Sequence, residues 1–420
     1  MRILFLGLNY APEEIGIAAY STGMCEDLVK RGHEVQAIVG KPYYPGWSVP
    51  ESFQGGGARH SVENGVDLTR VPHYVPDNPT GARRIIHHAT FALNALLPMV
   101  RTSRAFKPDV VLTIAPSTIA APVARLAAKL AGAKSWLHIQ DFEVGAAFAT
   151  GLVSPSGITA RLARAFEKWV VGGFDRISSI SHEMCKSVAS LGVPEDHIVS
   201  FRNWAEIEQI APLDRASDYR ELWGISAPHV ALYSGNIANK QGIRIVVDAA
   251  RALADRDDIE FVVCGNGPNR AALEKHAEDL TNIQFHDLQP KGQLCELMNL
   301  ATIHLLPQRA DAADLVLPSK LTNMLASGRP VIATANNDTG LAQEVSGNGL
   351  VVQPEDTKAL ANAIALLADD EKLRTMYGSA ARIAALANWH KDKVLSRFEA
   401  NLQELAVGPN TFVRLDKEKR

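Results

Sequence analysis

The chain has 420 residues, of which 46% are hydrophobic and 21% charged, and its formal net charge is −3. These values are typical of a folded globular protein, and the length fits two α/β domains better than a single core. They exclude a largely disordered chain, and they argue against a nucleic-acid-binding protein, which usually carries a strongly basic surface.

Strands and helices alternate along the first half of the chain. Helices end at Gly32 and Gly132, and glycine is a common residue just after a helix. The predicted helices are Ala18–Arg31 and Ala121–Ala131. The predicted strands are Arg2–Leu6, Glu34–Val39, Val110–Ile114, Lys134–Ile139 and Arg176–Ile180.

The second half repeats this plan without a close sequence repeat. Its predicted strands are Val230–Tyr233, Ile259–Cys264, Ile303–Leu306 and Val331–Thr334. Its predicted helices are Ile243–Ala254, Ala271–Leu280, Leu321–Ala326, Thr357–Ala368 and a last helix at about Lys391–Leu405.

This alternation predicts two parallel sheets covered by helices on both faces. A polar stretch near residues 200–228 is typical of a linker. Ligands of open parallel sheets bind beyond the carboxyl ends of the strands. We therefore expect two Rossmann-like domains facing one interdomain cleft.

The four cysteines and the N-terminal segment bear on the cellular compartment. Cys25, Cys185, Cys264 and Cys295 are far apart and form no CxxC pair, which predicts free thiols in a reducing compartment. Residues 1–7 form a short apolar run that predicts a buried strand instead of a signal peptide. No run reaches the roughly 18 apolar residues of a membrane span, so we expect a cytoplasmic protein.

Three loops at strand ends are suited to phosphate. Residues 9–16 end in Gly16 before a helix, residues 233–242 contain Lys240, and residues 313–323 lead through Ser319 and Lys320 into a helix. Helix N-termini offer free N–H groups, and lysine offers positive charge. The alternatives are a glycine in a tight turn, a solvent-facing lysine and a well-capped helix without a ligand. The pattern alone would also allow a dehydrogenase or an NTPase, although no GxGxxG motif is present.

These segments, in this order along nearly the whole chain, resemble the retaining glycosyltransferases of family 4, which have the GT-B fold. More narrowly, the sequence resembles the colanic-acid-type exopolysaccharide glycosyltransferases (the WcaI group). The wider resemblance rests on residues 9–16, 31–35, 235–242, 265–268, 317–321 and 328–332, and the narrower one on residues 137–141, 201–204 and 317–325.

The resemblance implies an acceptor-binding domain at 1–205, to which the C-terminal helix 388–407 crosses back. It implies a nucleotide-sugar-binding domain at 206–387 and leaves a tail at 408–420. It implies that Gly16 donates its N–H to the donor and that His138 contacts the donor sugar near the reacting carbon. The alternative for His138 is a hydrogen-bonded histidine of the core. Asp314 is the best match for the glutamate that holds the sugar, with Asp311 as a rival.

The resemblance also implies the rest of the donor site. Lys240 and Lys320 would balance the diphosphate, and Asn323 would hold the ribose in place of a family glutamate. The remaining expected donor-binding residues are Asn236, Gly265, Ser319 and Leu321. These groups could balance the diphosphate without a metal, so no metal or other cofactor is expected.

The implied reaction moves a hexose or deoxyhexose from a GDP- or UDP-linked donor to a glycan or polyprenyl-diphosphate-linked acceptor. Two alternatives remain: a sugar-nucleotide epimerase or hydrolase of the same fold, and a protein that binds a nucleotide sugar without turnover. Basic residues flank an apolar helix at 81–107. This helix would suit an anionic membrane surface at the inner face of the cell membrane, or it is a core helix with exposed arginines.

Overall fold

The chain folds into two compact units. The computed structural model describes residues 1–13, 16–142, 157–205, 207–237, 241–310 and 319–408, with only the backbone described at Lys291 and Ser319. The first unit comprises Met1–Asn203 and the chain from Leu395 onward, and the second comprises Trp204–Val394. The second unit is therefore continuous in sequence, whereas the first contains both ends of the chain.

The described part of the first unit is built around an eight-stranded sheet. Its strands are β1 (Arg2–Gly7), β2 (Glu34–Gly40), β3 (Arg59–Glu63), β4 (Val66–Val71), β5 (Val110–Ala115), β6 (Lys134–Ile139), β7 (Arg176–Ser179) and β8 (Ile198–Ser200). Their order is β3-β4-β2-β1-β5-β6-β7-β8, and every neighbouring pair is parallel except β3 and β4. Central strands such as β1 and β5 are buried along nearly their whole length, which explains their continuous apolar sequences.

Helices connect these strands. They are α1 (Ile17–Lys30), α2 (Gly81–Phe106), α3 (Ala121–Ala131), α4 (Ile158–Val171) and α5 (His182–Ser190). From β4 to β5, β6 and β7 the chain moves across the sheet in one direction. Because crossovers between parallel strands are right-handed, α2, α3 and α4 lie on the same face of the sheet.

The described part of the second unit contains a six-stranded, all-parallel sheet. Its strands are β9 (His229–Ser234), β10 (Ile259–Cys264), β11 (Ile283–His286), β12 (Ile303–Leu306), β13 (Val331–Thr334) and β14 (Gly349–Val352), in the order β11-β10-β9-β12-β13-β14. Its helices are α6 (Tyr219–Leu222), α7 (Arg244–Ala252), α8 (Arg270–His276), α9 (Leu294–Leu300), α10 (Ser319–Ala326), α11 (Gly340–Val345), α12 (Thr357–Asp369) and α13 (Glu371–Asn388).

The last helix, α14 (Lys391–Val407), returns the chain to the first unit. Phe398 stacks on Phe201 with ring centroids 4.1 Å apart and meets the edge of Trp136 at 5.1 Å. Glu399 accepts hydrogen bonds from Arg31 at 3.2 Å and lies 2.9 Å from the His33 Nε2. The C-terminal helix therefore contributes both apolar packing and polar contacts to the first unit.

The prediction of two parallel α/β domains is confirmed, and the predicted strands match β1, β2, β5–β7, β9, β10, β12 and β13 closely. The predicted helix 271–280 is shorter and ends at His276. The apolar run at 89–100 belongs to a longer helix, which continues through Pro98. Sequence analysis did not predict β3, β4, β8, β11 and β14, nor the helices α4, α5, α6, α9, α11 and α13.

Candidate functional site

The strand order of each sheet reverses at one point, which in parallel α/β folds is where ligands bind. In the second unit the reversal lies between β9 and β12, and in the first it lies between β1 and β5. The loops after β9 and β1 are therefore the natural places to look for a ligand site in each unit.

Two loops of the second unit meet backbone to backbone at the carboxyl ends of β9 and β10. Gly235 donates its N–H to the Cys264 carbonyl at 2.9 Å, and Ile237 donates to the Asn266 carbonyl at 2.9 Å. A Cβ atom on Gly265 would lie only 1.9 Å from the Gly235 carbonyl oxygen. Because no side chain fits in that space, glycine at 265 is what lets the two loops touch.

The ammonium group of Lys320 lies over this junction. Its Nζ donates to the Tyr233 hydroxyl at 2.9 Å and lies 4.4 Å from the Tyr233 ring centroid. A Cβ atom on Gly235 would lie 2.8 Å from Nζ, so Gly235 leaves the room that Lys320 occupies. The Tyr233 hydroxyl in turn donates to the Asn236 carbonyl at 2.6 Å.

The charge of Lys320 is not cancelled by Tyr233. Burial raises the pKa of the Tyr233 phenol, so this hydroxyl remains neutral and accepts the lysine hydrogen bond without a negative charge. Tyr233 is thus a neutral hydrogen-bond partner of this cation at the end of β9. A positive charge in this position suits a phosphate.

The structure describes only some of the other predicted donor residues. The Leu321 side chain is buried in the core, so only its main chain could contact a ligand. Asn323 is half-buried on α10. Lys240 and Asp314 lie outside the described residues, as does the side chain of Ser319. Their roles stay predictions.

A small pocket opens at the carboxyl ends of β12 and β13. Its polar lining includes Gln308, Thr334, Asn336 and Thr339. The Thr334 hydroxyl accepts from the Gln308 N–H and donates to the Gln308 carbonyl, both at 2.7 Å, which fixes the two strand ends together. Amide and hydroxyl groups of this kind can bind sugar hydroxyls. Sequence analysis missed this pocket, because its residues carry no motif.

In the first unit, Gly16 precedes α1 with a φ of 64°, a conformation that favours glycine. Glycine has no side chain that could accept hydrogen bonds from the first amides of α1. The nearest atom to a Cβ placed on Gly16 is a ring carbon of Tyr44, 3.9 Å away. The amides at the start of this 14-residue helix can therefore receive an anion.

A buried carboxylate holds the loop that leads to Gly16. The Glu13 carboxylate accepts hydrogen bonds from the Tyr43 N–H at 2.7 Å, the Tyr44 N–H at 2.8 Å and the Asn9 amide at 2.9 Å. Burial raises the pKa of Glu13, while these three donors act in the opposite direction. Sequence analysis gave Glu13 no role, although an acidic residue in the loop that follows a buried strand is a usable signal.

Arg70 fixes the same loop from β4. It is buried, binds both carboxylate oxygens of Glu63 at 2.5 and 2.9 Å, and donates to the Ala11 carbonyl at 2.7 Å. The Ala11 N–H donates to the Thr22 hydroxyl at 2.8 Å. The loop after β1 is therefore held mainly by side chains.

His138 lies inside the first unit, one residue before β6 ends, and only 1% of it is exposed. Its Nδ1 is 2.8 Å from the Ser178 hydroxyl, which also accepts from the Trp136 indole, and its ring packs on Phe201. Burial lowers the pKa of His138 to about 3, so the ring is neutral at neutral pH.

The structure brings Gly235, Asn236, Gly265 and Lys320 together in the second unit. Gly16 and His138 belong to the first unit. In the described part of the chain, no group of three or more His, Cys, Asp or Glu side chains could hold a metal ion. The expected metal independence stays a prediction.

Comparison with known proteins identifies the family. Residues 16–204 match the model of the glycosyl transferase 4-like domain, and residues 228–370 match that of the glycosyl transferases group 1. The putative colanic acid biosynthesis glycosyl transferase WcaI of Escherichia coli (strain K12) is 37% identical over 409 residues, which cover 95% of this chain and 98% of that protein. The chain belongs to the family 4 glycosyltransferases.

Two further similar proteins share less of their sequence with this glycosyltransferase. The GDP-mannose-dependent alpha-mannosyltransferase of Mycolicibacterium smegmatis (strain ATCC 700084 / mc(2)155) is 23% identical over 275 residues, 65% of each chain. The structure of Anabaena HepE in complex with UDP superimposes with a TM-score of 0.66 at 13% identity, covering 96% of this chain and all of that one. The likeness to HepE supports the GT-B fold, and the family assignment makes the chain an enzyme that transfers a sugar.

Proposed function

We propose that this glycosyltransferase moves a hexose or deoxyhexose from a GDP- or UDP-linked donor to a lipid-linked or oligosaccharide acceptor in exopolysaccharide biosynthesis, with retention of configuration. The observation that carries the proposal is the Lys320 ammonium group held over Gly235 at the reversal point of the second sheet. The role in exopolysaccharide biosynthesis is suggested by the relative assigned to colanic acid biosynthesis. The base is suggested by one relative that depends on GDP-mannose and by one neighbour that binds UDP.

The chemistry follows from where charge develops. When the bond between sugar and phosphate breaks, negative charge grows on the departing diphosphate and positive charge grows on the sugar ring. Lys320 and the amides at the start of α10 would stabilise the leaving group, as would Lys240 and the amides that follow Gly16. Retention then results from attack on the face that the diphosphate leaves, with a phosphate oxygen taking the proton of the acceptor hydroxyl.

We assign the sugar-side roles to His138 and Asp314. Because His138 is neutral, it would act through a hydrogen bond and not through charge. Asn236, Asn323 and the amides near Gly265 and Leu321 would position the nucleotide. Lys240 and Lys320 would replace a metal ion as the counter-charge of the diphosphate.

The acceptor would be a glycan or a polyprenyl-diphosphate-linked sugar, which places the enzyme at the inner face of the cell membrane. No helix in the part of the chain that the structure describes is long and apolar enough to cross a membrane. Contact with the bilayer would therefore occur at its surface, through the helix at 81–107.

The donor site is tested by calorimetric titration of GDP, UDP, ADP and their common sugar conjugates without metal. We expect one base to bind best, and Lys320→Gln to weaken it about 10- to 100-fold, as for loss of a charge-assisted hydrogen bond. Lys358→Gln, an exposed lysine on α12, is the matched control and should bind normally.

Two results would overturn the proposal. One is that no nucleotide binds the wild-type protein with or without Mg²⁺. The other is equal binding by wild type and Lys320→Gln. A donor that binds only after Mg²⁺ is added would remove the metal-free mechanism while leaving the site in place.

A further inference from the structure

Three helices on one face of the first sheet expose an unusual share of the large apolar side chains. Twenty such side chains are exposed in the described part of the chain, and eleven of them lie on α2, α3 and α4. We call the exposed side chains of these three helices the α2–α4 face. Exposed apolar side chains that cluster on one surface are typical of sites that bind a partner or a membrane.

The helix α4 shows the pattern most clearly. Ile158, Leu162, Phe166 and Trp169 recur at spacings of four, four and three residues, so they form one stripe. Their exposed fractions are 75, 64, 38 and 53%. This stripe has helical periodicity but points away from the core, whereas Val170 and its buried neighbours face the sheet.

The charged groups on these three helices are almost all cationic. The three helices contain nine arginines and lysines and a single carboxylate, Glu167, which is buried. On α4 the exposed residues Arg161, Arg164 and Lys168 alternate with the apolar stripe. The whole chain has a net charge of −3, so this excess of positive charge is local.

The three helices form one continuous surface. α2 and α3 share a buried cluster that includes Phe91 and Ala124. The guanidinium of Arg125 on α3 lies 4.6 Å from the Trp169 ring centroid on α4, and its Nη1 donates to the Trp169 carbonyl at 3.3 Å. Each helix follows a parallel strand, so each begins at the edge of the sheet where ligands bind.

We propose that the α2–α4 face docks on an anionic lipid bilayer, with the α4 stripe at the level of the acyl-chain boundary and the basic side chains on lipid phosphates. Apolar residues flanked by lysine and arginine are the pattern of helices that lie in a membrane surface. A second copy of the chain fits less well, because a symmetric contact would oppose cation to cation. A nucleic acid would leave the apolar stripe without a partner.

The proposed function puts only the helix at 81–107 in contact with the membrane, and this inference adds α3 and α4 to the contact surface. It rests on the proposed function in one respect, since a lipid-linked acceptor lies in the bilayer. Its test uses neither donor nor acceptor, so a failure here and a failure of the donor site are separate results.

The test is sedimentation of the full chain with vesicles of phosphatidylcholine, with and without about one third phosphatidylglycerol. We expect binding to the anionic vesicles only. Changing Arg161, Arg164 and Lys168 together to Gln should weaken it about 100-fold, at roughly fivefold per charge. The double variant Ile158→Ser with Leu162→Ser should weaken it about tenfold or more, because less apolar surface is buried.

The matched control is Met376→Ser with Ile383→Ser on α13, which are exposed to 55 and 68% in the second unit. This variant should bind vesicles like the wild type, and the circular dichroism and donor affinity of all variants should be unchanged. Equal vesicle binding by the α4 variants and the wild type would overturn the proposal, as would no binding by the wild type. A wild-type dimer that the serine variants dissociate without lipid would instead make this face an interface between copies.

Discussion

The loops at the carboxyl ends of the two sheets are held in different ways. In the first unit, the loop after β1 is held by side chains, chiefly Glu13 and Arg70. In the second unit, the loops after β9 and β10 are held by contact between the backbones of Gly235 and Gly265. The first arrangement depends on charge and hydrogen-bond acceptors, whereas the second depends on the absence of side chains.

This difference predicts different sensitivities to substitution. A loop held by side chains should tolerate a substitute that keeps the acceptor atoms. A loop held by glycine contacts should tolerate no added carbon at the point of contact. Each of the following changes tests one side of this comparison.

The largest effect is expected for Gly265→Ala. Its methyl group would lie 1.9 Å from the Gly235 carbonyl oxygen, so the loops must separate. We expect a loss of about 2–4 kcal/mol of unfolding free energy in the second unit, from overpacking and backbone strain together. Denaturant unfolding measures it, and hydrogen exchange should quicken at the amides of residues 235 and 237. Gly292→Ala is the control, because nothing lies within 4 Å of its added carbon. A stability equal to wild type would contradict the close contact.

A smaller effect is expected for Glu13→Leu. Leucine accepts no hydrogen bond and would leave the Tyr43 and Tyr44 N–H groups without their acceptor, at about 1–3 kcal/mol. Glu13→Gln keeps one acceptor oxygen and should lose less. Hydrogen exchange should quicken at residues 43 and 44 in the Glu13→Leu variant. The control is Glu34→Leu, at an exposed position on β2, which should leave the exchange at residues 43 and 44 unchanged. Equal losses for leucine and glutamine would show that shape, and not the acceptor atoms, holds this loop.

The smallest effect concerns two buried histidines, one in each sheet. His138 lies 2.8 Å from the Ser178 hydroxyl, and His304 lies 2.9 Å from that of Ser327. Burial lowers the pKa of both histidines to about 3. Their folded pKa lies below the unfolded value of about 6.5, so their contribution to stability is present above pH 6.5 and is lost as the pH falls toward 3.

The measurement is the change in unfolding free energy between pH 7 and pH 5.5. In His138→Gln, this change should be smaller than in wild type by about 1 kcal/mol. His304→Gln should reduce it similarly, but through the second unit. An unchanged pH dependence in His138→Gln would mean that His138 takes up protons in the folded protein.

The sequence predicted the parallel sheets well, because their strands are buried on both faces and appear as continuous apolar runs. It missed the β3–β4 hairpin, although Asn64 and Gly65 form a strong turn signal. Both residues have positive φ, 47° and 84°, as this turn requires. The hairpin strands were not predicted because β3 lies at the edge of the sheet and is mostly exposed, so its sequence is not a continuous apolar run.

The site was harder to predict than the fold. The convergence of Lys320 and Gly235 depends on residues far apart in sequence, so no spacing could reveal it. The burial of His138 depends on Phe201, more than sixty positions away. For α4, helical periodicity would predict a buried stripe, whereas Ile158 and Leu162 face outward in the structure.

The path of the chain through the two units has a consequence for synthesis on the ribosome. All of the second unit, from Trp204 to Val394, emerges before the helix that packs against Trp136 and Phe201. The second unit can therefore fold while translation continues, whereas the first unit must wait for Phe398. A nascent chain stopped before Leu395 would expose those two aromatic rings to chaperones and proteases, so this first half is the part of the protein that premature termination would harm.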